Sequence, residues 1–309
     1  MFIRLFLIFL IVSVCFPLHA EIYKWVDENG KVHFSDHKVN GAELKVLNLN
    51  QIKSERPQFD INVKTIGIEL TEEEHKHIVD GVNYVYEFFN RALYLDIYKT
   101  VPVNIVILKD KNAYDNYLTQ NGWGKSKESY GIYARKKHQI TTYIRDERKG
   151  TFRTIRHEVS HAIVHTIMPY TPAWLNEGLA EQMETLNRKE TGLYIVPHKY
   201  NRRVVDRAAK EESLIDISEF LKLPSGKWRH TLSGGEKSLQ SQAGQFVYYL
   251  LSTPPNRSFI TRLMHKFEQG DRTLSYYLVN DNYIGGVKAL EVNWNHWAKK
   301  QSKDIIELF

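Results

Sequence analysis

The chain has 309 residues, of which 42% are hydrophobic, and it carries a formal net charge of +6. This apolar content is enough for a buried core, so the composition excludes an intrinsically disordered chain. The Lys and Arg residues are scattered along the sequence and form no long basic run with interleaved aromatic residues, which argues against nucleic-acid binding. A mildly basic surface instead suits a protein that works near anionic polymers.

Residues 1–20 have the layout of a secretory signal peptide. Arg4 is followed by an apolar run, by Pro17 and by the small residue Ala20, and we expect cleavage after Ala20. The apolar run is short for a membrane-spanning helix, which needs about 20 residues, so membrane association is expected only if this segment stays uncleaved. Cys15 is the only cysteine of the chain and would leave with the signal, so no disulfide is expected in the mature protein.

Residues 21–50 are predicted to form a small β module. Apolar and polar side chains alternate on both sides of Asn29 and Gly30, and Asn-Gly between two such runs predicts a hairpin. The pattern from Tyr23 to Asp36 resembles a small N-terminal module of unknown function that occurs on many exported proteobacterial proteins. The resemblance implies a protein of the Gram-negative cell envelope and implies no chemistry. Residues 51–60 are predicted to be a linker.

The remaining residues, 61–309, are predicted to form one larger domain. Strand and helix patterns alternate through its first half, with predicted strands at 61–70, at 101–110 and twice within 129–144, and predicted helices at 71–93, 111–120, around 156–165 and at 172–186. After residue 200 the apolar spacing is mostly helical. This order predicts an α+β fold, in which a mixed sheet and the helix around 156–165 pack against a mostly helical C-terminal lobe, beside the small N-terminal β-hairpin module.

The segment Arg156–His165, RHEVSHAIVH, places two histidines one helical turn apart. At 100° per residue, His157 and His161 lie about 40° apart around the helix, so both imidazoles can reach one metal ion, and zinc accepts such nitrogen ligands. Glu158 lies beside them, where its carboxylate can reach a metal-bound water without binding the metal. The apolar side chains collect on the opposite face and are expected to pack on the core. The pattern also fits an exposed polar face whose histidines bind nothing.

A catalytic zinc site commonly has three protein ligands and one open position. A third histidine six residues after His161 would stand at position 167, which is Ile167, so the metzincin pattern is not met. The alternative third ligand is a glutamate on a following helix. In WLNEGLAE, residues 174–181, Glu177 and Glu181 share one helix face and the leucines gather on the other.

HEVSHAIVH followed by PAWLNEGLAE resembles the gluzincin zinc metallopeptidases, in particular the peptidase-MA-like superfamily. The resemblance implies that His157, His161 and Glu177 bind Zn²⁺ and that Glu158 is the general base of peptide-bond hydrolysis. Glu181, one turn after Glu177, is expected either to accept a hydrogen bond from the far nitrogen of a ligating histidine or to be a plain surface carboxylate.

The resemblance also implies a place for the substrate. The strand directly before the motif helix, HQITTYI at 138–144, corresponds to the substrate-binding edge strand of the superfamily, and an edge strand can hold an extended peptide by main-chain pairing. We therefore expect Thr141, Thr142 and Tyr143 to contact the peptide. His165 extends the histidine face by one turn and is expected to be structural, with metal binding or a substrate contact as alternatives.

The residue that stabilises the oxyanion is left open by the sequence. The superfamily uses a Tyr or His donor from the C-terminal lobe, and the place of a frequent tyrosine is taken here by Gln240. Four other residues of the lobe are candidates: His198, His230, Tyr248 and Tyr249.

Three functions fit these patterns. The first is a secreted zinc metallopeptidase that hydrolyses peptides or proteins in the periplasm or cell envelope. The second is a catalytically weak or inactive zinc-binding module of the same fold, which serves in envelope interaction or assembly. In the third, the hairpin module carries an envelope-binding function and the histidines are structural.

Overall fold

A computed structural model describes residues 61–95, 97, 101–123, 129–228, 238–300 and 304–309, together with three short strands nearer the N-terminus. The chain divides into two compact units, residues 1–56 and 57–309. The predicted signal segment and the Asn29-Gly30 turn lie outside the described residues. None of the described helices is both long enough and apolar enough to span a bilayer.

The first unit contains a three-stranded antiparallel sheet. Its strands are β1 (Ile22–Val26), β2 (Val32–Ser35) and β3 (Lys45–Leu47), in the order β2-β1-β3. β1 pairs with β2 so that Lys24 lies opposite Phe34, and β3 adds to the other side of β1. An isolated two-stranded hairpin is marginally stable in water, so the third strand supplies pairing that the hairpin alone lacks.

The second unit is built on a four-stranded mixed sheet. Its strands are β4 (Ile61–Ile66), β5 (Val103–Leu108), β6 (Gly131–Ala134) and β7 (Gln139–Tyr143), in the order β4-β5-β7-β6. The first three in that order are parallel, with Ile105 opposite both Val63 and Ile140, whereas β6 is antiparallel to β7. All residues of β5 except Asn104 are buried, as expected of a central strand that is covered on both faces.

Strand β7 lies inside this sheet, not at its edge. It pairs with β5 on one side and with β6 on the other, and Thr141 and Thr142 are fully buried. The expected edge position of Thr141, Thr142 and Tyr143 is therefore wrong. A hairpin can join a sheet by either of its strands, and β7 takes the inner place because its Ile140 fills the core. Of the two hairpin strands, β6 is therefore the outer one and forms an edge of the sheet, opposite the edge strand β4.

The predicted order of strands and helices over residues 61–186 is confirmed. Its helices are α1 (Glu72–Glu87), α2 (Lys111–Gln120), α3 (Arg148–Ile167) and α4 (Ala173–Glu184). α1 begins with the predicted capping box, in which Glu74 N donates to Thr71 Oγ1 at 3.2 Å and Thr71 N donates to Glu74 Oε2 at 2.9 Å. This exchange satisfies two N–H groups that the first helical turn leaves free.

The rest of the second unit is mostly helical, as predicted. Its helices are α5 (Lys199–Lys210), α6 (Ile217–Phe220), α7 (Ser238–Leu251), α8 (Pro254–Glu268), α9 (Ser275–Asn282) and α10 (Gly286–Lys300). A second small sheet goes beyond the predicted elements: β8 (Leu186–Lys189) and β9 (Gly192–Ile195) form a hairpin, and β10 (Ile306–Glu307) pairs with β9. The pairing of β10 with β9 cannot be read from local periodicity, because the two strands are far apart in sequence.

One continuous apolar core joins the mixed sheet, α3, α4 and the C-terminal helices. Helices α4 and α7 cross closely at two glycines. A Cβ on Gly178 would lie only 2.4 Å from Val247 Cγ2, and Gln182 Nε2 donates to the carbonyl oxygens of Gly178 and Gly244 at 2.8 Å each. The crossing leaves no room for a side chain at Gly178, so α7 fixes α4 at the turn that carries Glu177.

Gly178→Ala tests this crossing. Because the added Cβ overlaps Val247, we expect overpacking to lower the free energy of unfolding by about 1–3 kcal/mol, although alanine is the better helix former. Gly226→Ala is the matched control, since a Cβ there has no heavy atom within 4 Å; its unfolding free energy should stay unchanged or rise by up to about 1 kcal/mol, because alanine is the better helix former. Urea denaturation of the full chain measures both, and equal stabilities would contradict the tight crossing.

Candidate metal centre

Helix α3 places two imidazoles side by side. The ring centroids of His157 and His161 are 4.9 Å apart, in an edge-to-face arrangement. The opposite side of the helix is buried in the core through residues such as Val159 and Ile163, so the helix cannot rotate the histidines away without losing close packing. His157 is only 7% exposed, and the alternative of an exposed polar face is therefore wrong for this residue.

Helix α4 adds a carboxylate to this pair. Oε2 of Glu177 lies 3.8 Å from His157 Nε2 and 3.7 Å from His161 Nε2. These distances are longer than a hydrogen bond. They are close to the separation of about 3.4 Å between two ligand atoms of a tetrahedral zinc ion with bonds of about 2.0–2.1 Å. The first turn of α4 is anchored by Trp174, whose Nε1 donates to Ser275 Oγ at 3.1 Å.

These three side chains fit a metal ion. One possible ligand atom from each lies within 4.8 Å of the other two, and two imidazole nitrogens with one carboxylate oxygen form a common donor set of catalytic zinc. The buried Nδ1 atoms of His157 and His161 have no aligned hydrogen-bond partner among the described residues. No internal hydrogen bond therefore turns the two rings away from Glu177.

Burial and neighbouring charges set the protonation of this group. Burial by itself raises the pKa of Glu177, but His161 and His157 outweigh this effect and lower the pKa. Burial by itself lowers the pKa of His157, but Glu177 and Glu184 outweigh it and raise the pKa. Glu177 therefore stays ionised, as a metal ligand must be, whereas a metal ion would have to displace the proton that the two glutamates favour on His157.

Glu158 lies next to the outer strand of the mixed sheet. Its Cγ is 3.4 Å from the place of a Cβ on Gly131 of β6, and the same Cβ would lie 2.6 Å from Thr154 Cγ2. Only glycine therefore lets β6 approach α3 at this point. Burial raises the pKa of the Glu158 carboxyl group, and the histidines offset only part of this rise.

The carboxylate nearest to the far side of His157 is that of Glu184. Its Oε1 is 3.0 Å from His157 Nδ1, whereas Glu181 Oε1 is 3.9 Å away. The contact with Glu184 is an ion pair rather than an aligned hydrogen bond. Oε2 of Glu184 lies 3.4 Å from His198 Nε2. Burial opposes ionisation of Glu184, but the two histidines outweigh it and lower the pKa of the carboxyl group. Glu184, two turns after Glu177, thus occupies the place expected for Glu181.

Glu181 belongs to a buried polar network. Asn201 Nδ2 donates to its Oε2 at 2.5 Å, and Gln240 Nε2 donates to its Oε1 at 2.6 Å. Ser241 Oγ in turn donates to Asn201 Oδ1 at 3.1 Å. Because Glu181 is only 5% exposed, the surface-carboxylate alternative is wrong. The network ties α4 to α5 and α7.

Arg156, directly before the motif histidine, holds the end of α4. Its Nε and one terminal nitrogen donate to the carbonyl oxygens of Met183 and Glu184, at 2.8 Å each. Its stem passes over Gly81 of α1, where a Cβ would lie 3.3 Å from Arg156 Cδ. Burial lowers its pKa to about 10, so it remains a cation at neutral pH. Arg156 is not distinguishable in the sequence from the other arginines of α3, Arg148 and Arg153, because its role depends on the contact with α4.

His165 lies apart from the cluster around Glu177. Its ring centroid is 6.2 Å from that of Tyr133 on β6, and its Nε2 is buried without a hydrogen-bond partner among the described residues. The structure therefore brings His165 against the outer strand and not to Glu177.

The contacts of the C-terminal lobe do not single out an oxyanion donor among the described residues. The hydroxyl of Tyr248 donates to the carbonyl oxygen of Asp304, that of Tyr249 lies 3.4 Å from the hydroxyl of Tyr283, and His198 faces Glu184. His230 lies outside the described residues.

Glu184→Gln tests whether the ion pair orients His157. Loss of an outer carboxylate partner typically weakens metal binding by about 10–100-fold, and we expect a weakening of that size for Zn²⁺. Competition with a chromophoric chelator measures the affinity, and thermal unfolding of the metal-free protein shows whether the fold is intact. The matched control is Glu190→Gln, an exposed glutamate, which should bind Zn²⁺ like the wild type. A folded Glu184→Gln protein with unchanged affinity would assign Glu184 no role in the site.

A family model described as a domain of unknown function (DUF4124) matches residues 9–58. The match covers the segment with the Tyr23–Asp36 pattern and ends at residue 58, at the start of the second unit and far before the candidate metal centre. The chain has no match among curated proteins.

Proposed function

We propose that this protein is a zinc-dependent metallopeptidase that hydrolyses peptide bonds. The proposal rests above all on Glu177, since one of its oxygens lies within 3.8 Å of Nε2 of both motif histidines. Glu158 is buried beside these residues but is not part of the ligand group. Three ligands together with one separate carboxylate are the arrangement that metal-assisted hydrolysis needs.

In this proposal His157 Nε2, His161 Nε2 and the Glu177 carboxylate hold the zinc ion. Zinc bound there supplies a Lewis acid that polarises the substrate carbonyl and makes water more acidic. Glu158 accepts the proton of the attacking water at its carboxylate and returns it to the leaving amine. Glu184 keeps the ring of His157 in place throughout.

Strand β6 supports a peptide as the substrate. It is one of the two edge strands of the sheet and pairs with β7 on one side only within the described residues. Its Gly131 lies next to Glu158. An extended peptide can add to such an edge through main-chain hydrogen bonds, and this pairing would carry the peptide backbone past Glu158. We therefore assign the proposed substrate contact to β6 instead of β7.

The second candidate is a zinc-binding module of the same fold without useful hydrolysis. One observation favours it: the residue at the place of the oxyanion tyrosine is Gln240, and its amide donates to Glu181. This candidate keeps the zinc ion and predicts no cleavage.

The proposed setting is the periplasm or cell envelope of a Gram-negative bacterium. It rests on the signal-peptide layout of residues 1–20 and on the resemblance of the Tyr23–Asp36 pattern to modules of exported proteins. A peptide or protein of that compartment is the proposed substrate.

Zinc content tests the ligand set. We expect the wild type to bind one zinc ion and Glu177→Ala to bind it more weakly by well over about 100-fold, the upper range for loss of a mere outer partner. Metal analysis after dialysis against a mild chelator measures the retained zinc. Exposed Glu211 provides the control variant Glu211→Ala, which should keep its zinc. Full zinc in Glu177→Ala after dialysis would show that the third ligand is another residue.

Glu158→Gln separates the two candidate functions. The substitution keeps the size of the side chain but removes the proton acceptor, so cleavage of a peptide that the wild type cuts should fall by about 10²–10⁴-fold. Zinc content and melting temperature should stay those of the wild type. Cleavage at the wild-type rate would rule out the mechanism. No cleavage by either protein, with zinc bound in both, would favour the inactive module.

A further inference from the structure

An exposed basic turn follows the outer strand β6. It consists of Arg135, Lys136 and Lys137, all three of which are exposed. Lys137 donates to Asn121 Oδ1 at 3.1 Å and lies 4.8 Å from the ring centroid of Trp123. Within the part of the chain that the structure describes, neither Arg135 nor Lys136 has a carboxylate partner. Two cations are therefore available to a ligand that lies along β6.

The geometry of strand β6 sets the distance between Glu158 and the basic turn. Gly131, at the start of β6, lies against Glu158, and Arg135 follows Gly131 by four residues. An extended strand rises about 3.3 Å per residue, so Arg135 lies about 13 Å further along the edge. A peptide that pairs with β6 and has its scissile bond at Glu158 therefore passes the basic turn about four residues from that bond.

The direction of the peptide decides which of its residues meet the basic turn. Antiparallel pairing is more stable per residue than parallel pairing. β6 runs from Glu158 towards Arg135, so an antiparallel peptide runs from the basic turn towards Glu158. The residues beside the turn then lie on the N-terminal side of the scissile bond. The long stems of Arg135 and Lys136 widen this zone to roughly the third to fifth residue before the bond.

We infer that Arg135 and Lys136 determine substrate specificity and select peptides with Asp or Glu at roughly the third to fifth residue before the scissile bond. This inference rests on the proposed peptidase function. Opposite charges that meet across an interface favour the matching partner and disfavour the mismatched one. The two cations beside β6 therefore indicate that the substrates are extended peptides with acidic residues.

Cleavage of paired peptides tests the inference. Once a peptide library has located a cleaved bond, two peptides are compared that differ only in Asp or Asn at those positions. We expect the wild type to cleave the Asp peptide about tenfold more efficiently at low ionic strength, as two partly exposed charge pairs allow. The gain should lie in KM, because contacts this far from the bond stabilise the ground state and the transition state alike. It should shrink near about 1 M salt, where the screening length falls to about 3 Å.

Charge-reversed variants test whether the basic turn causes the preference for the Asp peptide. Arg135→Glu/Lys136→Glu should lose or invert the preference for the Asp peptide. Lys288→Glu/Lys299→Glu on α10, at two exposed lysines, makes the same change of net charge and should keep the preference. A preference that survives in the first variant, or that is lost in the second as well, would overturn the inference.

A binding measurement tests this inference independently of the proposed catalysis. The Glu158→Gln protein, loaded with Zn²⁺, is titrated with two fluorescently labelled extended peptides that differ only in carrying Asp or Asn at three successive positions, so that no cleavage site needs to be known. Tighter binding of the Asp peptide that depends on Arg135 and Lys136 supports the inference, even if the wild type cleaves nothing and the proposed function fails. Cleavage with equal binding of both peptides overturns the inference and leaves the peptidase function standing. Binding of vesicles of anionic phospholipid that depends on the two residues, without any peptide preference, would also overturn it and assign the turn to a lipid surface.

Discussion

Helices α3 and α4 bury charged groups between them, and the free-energy cost of that burial constrains the rest of the domain. A buried carboxylate is costly unless it is paired or hydrogen-bonded. Glu181 meets this demand through Asn201 and Gln240, and Glu184 meets it through His157 and His198. Glu177 faces two imidazoles at distances beyond hydrogen bonding. A shared cation would satisfy Glu177 and both rings at once.

The C-terminal helices support this centre from behind. Helix α7 crosses α4 at Gly178 and contributes Gln240 to the network around Glu181. Arg156 holds the main chain of Glu184, while the neighbouring His157 contacts its carboxylate. Residues outside the candidate ligand set therefore fix the positions of the three candidate ligands. The edge strand β6 lies on the other side of Glu158. The candidate centre is thus held by packed helices on one side and faces an edge of the sheet on the other.

The sequence predicted those parts of the site that depend on helical spacing. The i, i+4 spacing put His157 and His161 on one face, and the resemblance to gluzincins pointed to Glu177, which the structure brings close to both. Long-range pairing was not readable in the same way. Either strand of the hairpin within 129–144 could have joined the sheet, so the edge was assigned to the wrong one. Glu184 was missed because its approach to His157 depends on the crossing angle of α3 and α4, which no local pattern encodes.

Anomalous diffraction at the zinc edge, from crystals of the zinc-loaded protein, tests the central claim most directly. We expect one strong peak at about 2.0–2.2 Å from His157 Nε2, His161 Nε2 and a carboxylate oxygen of Glu177. The second cluster of possible ligands, His157 Nδ1 with Glu181 and Glu184, should remain without a peak. A peak at this second cluster, or none at Glu177, would contradict the account.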